Sequence, residues 1–161
     1  MQTAWWKGSR GEWYVVIQFV LFGLVLLGPR SLPSWPAWPA PYTWLDWLGG
    51  GALGLLGGAL VITGVLCLGS SLTAVPYPKD EATQVEGGPY QIVRHPIYSG
   101  LILAALGWSL IVQGWLTVGY ALILFIFFDI KSRREERWLT QKYAGYEAYR
   151  RRVHKLIPFV Y

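Results

Sequence analysis

A chain of 161 residues that is 53% hydrophobic and 16% aromatic, with ten tryptophans and only 14% charged residues, does not read as a soluble domain. Its length allows one compact bundle of helices and no second domain, so 1–161 is read as a single all-α integral membrane domain. A net charge of +5 on so apolar a chain points to an anionic inner leaflet rather than to nucleic acid; the one cysteine, Cys67, lies in an apolar run and offers neither a disulfide framework nor a cysteine metal site.

Met1 to Glu12 is a short polar lead with Lys7 and Arg10. Trp13 to Gly28 is apolar except for Gln18 and predicts a first transmembrane helix. A signal peptide shares the basic lead and apolar centre, but Leu27-Gly28-Pro29-Arg30 is a poor cleavage site. Pro29 to Trp47 is rich in proline and tryptophan. It reads as a rigid headgroup-level loop, an aromatic belt, in preference to a proline-rich recognition segment. Leu48 to Leu72 is the clearest span. Gly50, Gly54 and Gly58 recur in it at every fourth residue, with Gly57, Gly64 and Gly69 nearby, a spacing of small residues that lets helices approach closely, between two copies or within one chain.

Thr73 to Gln91 is polar and ends in the turn signal Gly87-Gly88-Pro89. Ile97 to Val112 and Trp115 to Phe128, split by Gln113-Gly114, are each short for a span and predict a tight helical hairpin. About four transmembrane helices result, the last two forming the hairpin. A hairpin returns the chain to the side it left, so residues after Phe128 are expected beside the loop before Ile97. Nine of the fourteen Lys and Arg residues follow Phe128, and only Arg30 is left for the opposite face. That asymmetry predicts that both termini and the loop are cytoplasmic, with a bacterial inner membrane as the expected setting.

Within that loop, Pro96 pushes His95 out of the α region and is itself suited to a helix's first turn. A helix starting at Pro96 sets Arg94 and His95 at its N-terminus, where free N–H groups and the dipole favour an anion. An interfacial anchor is the alternative. Past Asp129, the residues Leu139, Tyr143, Tyr146, Tyr149, Val153 and Leu156 recur at three- and four-residue steps. They predict a cytoplasmic amphipathic C-terminal helix lying on the inner leaflet. Arg133, Arg134 and Arg137 suit that leaflet; Glu135 and Glu136 do not.

Gly88-Pro89-Tyr90, followed by Arg94-His95-Pro96-Ile97-Tyr98-Ser99-Gly100, resembles the GPY…RHPxYxG signature of isoprenylcysteine carboxyl methyltransferases and related phospholipid methyltransferases. Glu135-Glu136 with Leu139 resembles the EExxL of that family. Tyr146 and Tyr149, then Arg152-Val153 and Leu156-Ile157-Pro158, are similar to its closing YxxY…RV…LIP pattern. The likeness covers residues 85–160; residues 1–75 match only as two apolar helices joined by the proline-tryptophan loop.

The resemblance implies an integral membrane methyltransferase that uses S-adenosylmethionine. It implies cofactor contacts from Tyr90, Arg94, His95, Pro96, Tyr98, Gly100, Glu135, Glu136, Tyr146 and Tyr149, with His95, Glu135 and Lys131 nearest the chemistry. Lys131 stands where the family often has arginine, keeping the charge without the bidentate fork. Tyr143-Ala144-Gly145-Tyr146 shortens the family's FGxxY, which predicts a displaced start to the last helix. Neighbouring helical residues point about 100° apart, so one of Glu135 and Glu136 is expected to face the cofactor. No glycine-rich loop follows a strand, which excludes a doubly wound methyltransferase fold. The implied acceptor is a membrane lipid or amphiphilic small molecule, methylated on oxygen. Phospholipid or amine N-methylation, a nicotinamide-dependent sterol reductase and a non-catalytic lipid-binding scaffold are the competing readings.

Overall fold

The structure, a computed structural model, describes residues 11–39, 43–158 and 160–161. Residues 1–10 of the lead, with Lys7 and Arg10, lie outside the described residues, as do Ala40, Pro41 and Tyr42 of the proline-tryptophan loop. Among the described residues five α-helices follow in order: α1 (Glu12–Leu27), α2 (Thr43–Leu68), α3 (Pro96–Ile111), α4 (Trp115–Lys142) and α5 (Tyr146–Arg152). Among the described residues the only β-type pairing is one isolated parallel bridge, Val93 with His154. Thr43–Ser71 and Trp115–Lys142 are long and apolar enough to cross a bilayer; α1 and α3 are shorter apolar helices.

The tightest packing joins α2 to α3. A Cβ on Gly57 would sit 2.5 Å from the Gly100 carbonyl oxygen and 2.8 Å from the Ala104 nitrogen, and one on Gly50 would sit 2.6 Å from the Gly107 oxygen. The pairs 50 with 107 and 57 with 100 show the two helices running antiparallel. The buried glycines of α2 are Gly50, Gly57 and Gly64, a seven-residue period, whereas Gly54 and Gly58 would carry a Cβ into open space. The seven-residue repeat keeps one seam facing a partner helix where a four-residue repeat drifts off it. The four-residue reading of Gly50, Gly54 and Gly58 therefore picked out the helix face only in part.

α3 and α4 form the expected hairpin, turning at Val112–Gly114 with Gln113 in the left-handed region (φ 52°). α1 lies along α4, burying Leu21 and Val25 in a core with Ile102, Ala105, Ala121, Leu124 and Phe128. At the turn end, the Trp38 indole donates to Asp46 (2.8 Å), the Trp115 indole donates to the Pro36 carbonyl (3.1 Å), and the two rings meet at 4.6 Å. Trp44 and Trp47, read as loop, belong to α2, which starts before the expected Leu48.

The other end differs more from expectation. α4 does not stop at Phe128 but runs unbroken to Lys142, so one rigid helix carries Lys131, Glu135 and Glu136 beyond its apolar half. The stripe from Leu139 to Leu156 is not one amphipathic helix. The chain breaks at Tyr143–Gly145, makes the two-turn α5, and continues as an irregular segment from Val153. Burial explains the break, because Tyr146, Tyr149 and Leu156 turn inward and pack, rather than lying on a surface. The segment is then stitched to the loop before α3. The amides of Arg94 and His95 donate to the carbonyls of His154 (2.8 Å) and Lys155 (3.2 Å), and the Ser99 hydroxyl donates to the Leu156 carbonyl (2.6 Å).

Candidate active site

His95 precedes α3 with φ −126° and ψ 63°, a non-helical conformation forced by Pro96 at the first helical position. Its ring stacks on Tyr98 at 5.3 Å, and Tyr98 stacks in turn on Phe128 of α4 at 4.6 Å. Three rings thus bridge the start of α3 to α4. The Tyr98 hydroxyl donates to Glu135 Oε2 at 2.8 Å, and His95 Nδ1 lies 3.9 Å from the same oxygen.

Glu136, next along α4, points elsewhere. It is 5% exposed and gathers Arg94 Nε (2.8 Å), His95 Nε2 (3.1 Å) and Arg150 Nε (3.4 Å). Arg94 also donates to the carbonyls of Arg150 and Val153. A carboxylate only accepts, so Nε2 of His95 carries its proton and Nδ1 keeps its lone pair when the ring is neutral.

Lys131 lies one turn before Glu135 and is 2% exposed. Its ammonium donates to Gln18 Oε1 of α1 (2.6 Å) and to the Ala74 carbonyl (3.2 Å), and sits 5.1 Å from the centre of the Tyr98 ring.

These groups surround a cavity of about 300 Å³. Tyr90, Arg94, His95, Tyr98, Lys131, Glu135, Tyr146 and Tyr149 line it, with Val65, Leu68, Ile97 and Leu101 as an apolar wall. Three of the residues expected at the cofactor do not line it. Pro96 and Gly100 face α2, where Gly100 meets the Gly57 carbonyl, and Glu136 is occupied in bracing Arg94 and His95. Burial pushes the phenols of Tyr90, Tyr146 and Tyr149 above their usual range, and the nearby carboxylates Glu135 (for Tyr90) and Glu136 (for Tyr146) push the same way. These hydroxyls therefore stay protonated; that of Tyr149 donates to the Tyr90 carbonyl at 2.6 Å.

Some lining groups escaped the sequence reading. Gln18 carried a signal, as the lone polar break in an apolar run. Segment 71–85 carried none. It lines the cavity as irregular chain, and two of its carbonyls take polar side chains: that of Ala74 takes Lys131, and that of Ala82 takes the Tyr143 hydroxyl.

The lining brings an acceptor and a helix start together: the Glu135 carboxylate can accept from an ammonium or from hydroxyls, and the first-turn N–H groups of α3, at positions a helix leaves unpaired, suit an anion. The rings of Tyr90, Tyr146 and Tyr149 suit an aromatic or cationic group, whereas Tyr98 is stacked between His95 and Phe128.

Comparison with known proteins gives the same direction. A family model described as phospholipid methyltransferase matches residues 45–145. The chain is 34% identical over 100 residues to a probable protein-S-isoprenylcysteine O-methyltransferase of Oryza sativa subsp. indica, covering 60% of this chain and 52% of that one. It is 28% identical over 149 residues to the cobalt-zinc-cadmium resistance protein CzcN of Cupriavidus metallidurans, covering 92% of this chain and 62% of the relative. A solved structure of the eukaryotic intramembrane Ras methyltransferase ICMT superposes with a TM-score of 0.66 at 24% identity, covering 91% of this chain and 51% of the other. The chain thus spans about half the length of the isoprenylcysteine methyltransferase it matches.

Proposed function

The chain belongs to the phospholipid methyltransferase family, and from that premise we propose that it transfers a methyl group from S-adenosylmethionine to an amphiphilic acceptor held in the bilayer, in the manner of isoprenylcysteine carboxyl O-methylation. The observation that carries this reading is the cavity itself, whose lining joins the apolar Val65, Leu68, Ile97 and Leu101 to His95, Tyr98, Lys131 and Glu135. In this reading α1 to α4 cross the membrane as one domain, and the cavity opens on the cytoplasmic side, where the Lys and Arg residues concentrate.

S-adenosylmethionine supplies an electrophilic methyl group, and methyl transfer depends mainly on holding donor and acceptor in line. Glu135, aimed by the Tyr98 hydroxyl, holds the donor's ammonium or ribose. The start of α3 takes its carboxylate, and Tyr90, Tyr146 and Tyr149 enclose its rings. Arg94 and Glu136 brace His95 and α5 around it. Lys131 meets the charged end of the acceptor, whose tail lies on the apolar wall. A carboxylate acceptor needs no base. A second reading, N-methylation of an amine headgroup, draws support from His95, whose Nδ1 keeps its lone pair while Nε2 is tied to Glu136.

Calorimetric titration of the detergent-purified chain with S-adenosylhomocysteine, beside reduced nicotinamide dinucleotide phosphate, tests the donor. Binding of the first alone supports the reading, and binding of neither by folded protein removes it. His95→Ala and Glu135→Ala are expected to abolish methyl transfer with folding intact. Unchanged activity in both removes the site assignment.

A further inference from the structure

Lys131 is a buried ammonium without a counter-ion among the described residues. Of the carboxylates on its own helix, Asp129 pairs with Arg133 and Lys155 and Glu136 with Arg94, His95 and Arg150, while Glu135, one turn along, acts on Lys131 only through space and takes the Tyr98 hydroxyl. An ammonium has three N–H donors. Two are spent on Gln18 and the Ala74 carbonyl, leaving the third for the cavity that Lys131 lines. Burying a cation with no carboxylate in contact is costly unless something it binds supplies the missing partner.

The group that sets this ammonium in place comes from outside the family-matched stretch. Gln18 belongs to α1, and the family model begins at residue 45. It is the one amide in the run Val15–Leu27, which otherwise holds only apolar residues and Gly23. A polar side chain there is expensive and marks a function. The identity of the residue matters. A glutamate would neutralise Lys131 internally, and an apolar residue would leave the ammonium free to turn away. Glutamine fixes its position and leaves its charge unspent.

We propose that Gln18 is a positioning residue for acceptor recognition: by holding the Lys131 ammonium, it aims the remaining N–H at an anionic oxygen on the amphiphilic acceptor. α1 thereby supplies charge selectivity to a methyl-donor site built by the family segment. The inference rests on the methyltransferase reading above and deepens it.

The test is calorimetric titration of the full chain in detergent, as wild type, Gln18→Met and Gln18→Glu. One pair of probes is N-acetyl-S-farnesylcysteine and its methyl ester. A second is dihexanoyl phosphatidic acid and dihexanoylglycerol. S-adenosylhomocysteine is the donor arm. A hydrogen bond to a charged group is worth enough that wild type should prefer the anionic member of one pair by about tenfold, and the pair concerned identifies carboxylate or phosphate as the source. Gln18→Met, close in shape and more apolar, should lose that preference while binding of the neutral member and of S-adenosylhomocysteine stays within about twofold. Gln18→Glu should lose it as well. No charge preference in wild type, or a preference that survives Gln18→Met, overturns the proposal. So does a uniform loss across all probes, which assigns Gln18 to packing alone. Failure of wild type to bind S-adenosylhomocysteine removes the methyltransferase reading instead, while the paired probes still decide the charge question.

Discussion

Arg94 and Glu136 meet at 2.8 Å, Nε to Oε1, with both side chains almost fully buried, and this pair fastens the loop before α3 to the polar half of α4. Since Arg94 also donates to the carbonyls of Arg150 and Val153, the same pair holds the C-terminal segment over the cavity. Removing one partner of a buried pair strands the other's charge, which costs about 3 kcal/mol or more. Glu136→Ala is therefore expected to lower the melting temperature in detergent markedly. Glu135→Ala, one residue away, should leave it nearly unchanged while abolishing methyl transfer. Equal melting of the two variants removes the distinction between brace and ligand.

Tyr98 supports a subtler prediction. Tyr98→Phe keeps the ring between His95 and Phe128 but releases Glu135 from the hydroxyl that donates to it. The expected result is about a tenfold loss in kcat/KM, the value of one hydrogen bond to a charged group, with melting shifted by about 1 kcal/mol or less. Steady-state kinetics beside a thermal melt check it. Full activity in Tyr98→Phe shows that Glu135 needs no orienting.

What the sequence disclosed about this site was whatever depends on short-range chemistry. Pro96 dictated the break at His95 and the start of α3, and Gln113-Gly114 dictated the hairpin that brings Arg94 and His95 beside Glu135 and Glu136. Partnerships across long separations were not legible. Glu135 and Glu136 look alike in sequence, and only the 42-residue reach from Arg94 decides which of them is spent on bracing. The tyrosine stripe looked helical because Tyr146 and Tyr149 keep a three-residue step inside a helix of only seven residues. Segment 71–85 meets Lys131 and the Tyr143 hydroxyl through the Ala74 and Ala82 carbonyls, and backbone is the same at every position.

Ionisation of the tyrosines sets a limit on alkaline stability. Tyr90, Tyr146 and Tyr149 have folded values raised above the ordinary 10.0, chiefly by burial. A raised folded value contributes stability that is complete below the unfolded value and is lost as pH climbs past it toward the folded one. These groups should therefore leave stability flat through neutrality and erode it above about pH 10. Tyr149→Phe removes one of the three, giving a shallower alkaline decline at about 1 kcal/mol lower neutral stability from the lost bond to the Tyr90 carbonyl. Denaturation curves from about pH 8 to about pH 11 check both slope and offset. An identical alkaline slope in the variant removes Tyr149 from this account.

The α2–α3 seam gives the prediction that most directly separates the seven-residue glycine pattern from the four-residue one. Gly100 presses on the Gly57 carbonyl, and a Cβ at either position meets backbone, which cannot rotate aside. Gly100→Ala must then push the helices apart, costing about 1–3 kcal/mol and moving Pro96, His95 and Tyr98, which share α3's first turns. Gly54→Ala and Gly58→Ala place their methyl groups in open space and should change stability by no more than about 0.5 kcal/mol, or raise it slightly through helix propensity. Melting of the three variants in one detergent, with S-adenosylhomocysteine titrated into each, measures both effects. If Gly54→Ala or Gly58→Ala destabilises as much as Gly100→Ala, those residues face a partner helix and the four-residue pattern is an interface in its own right.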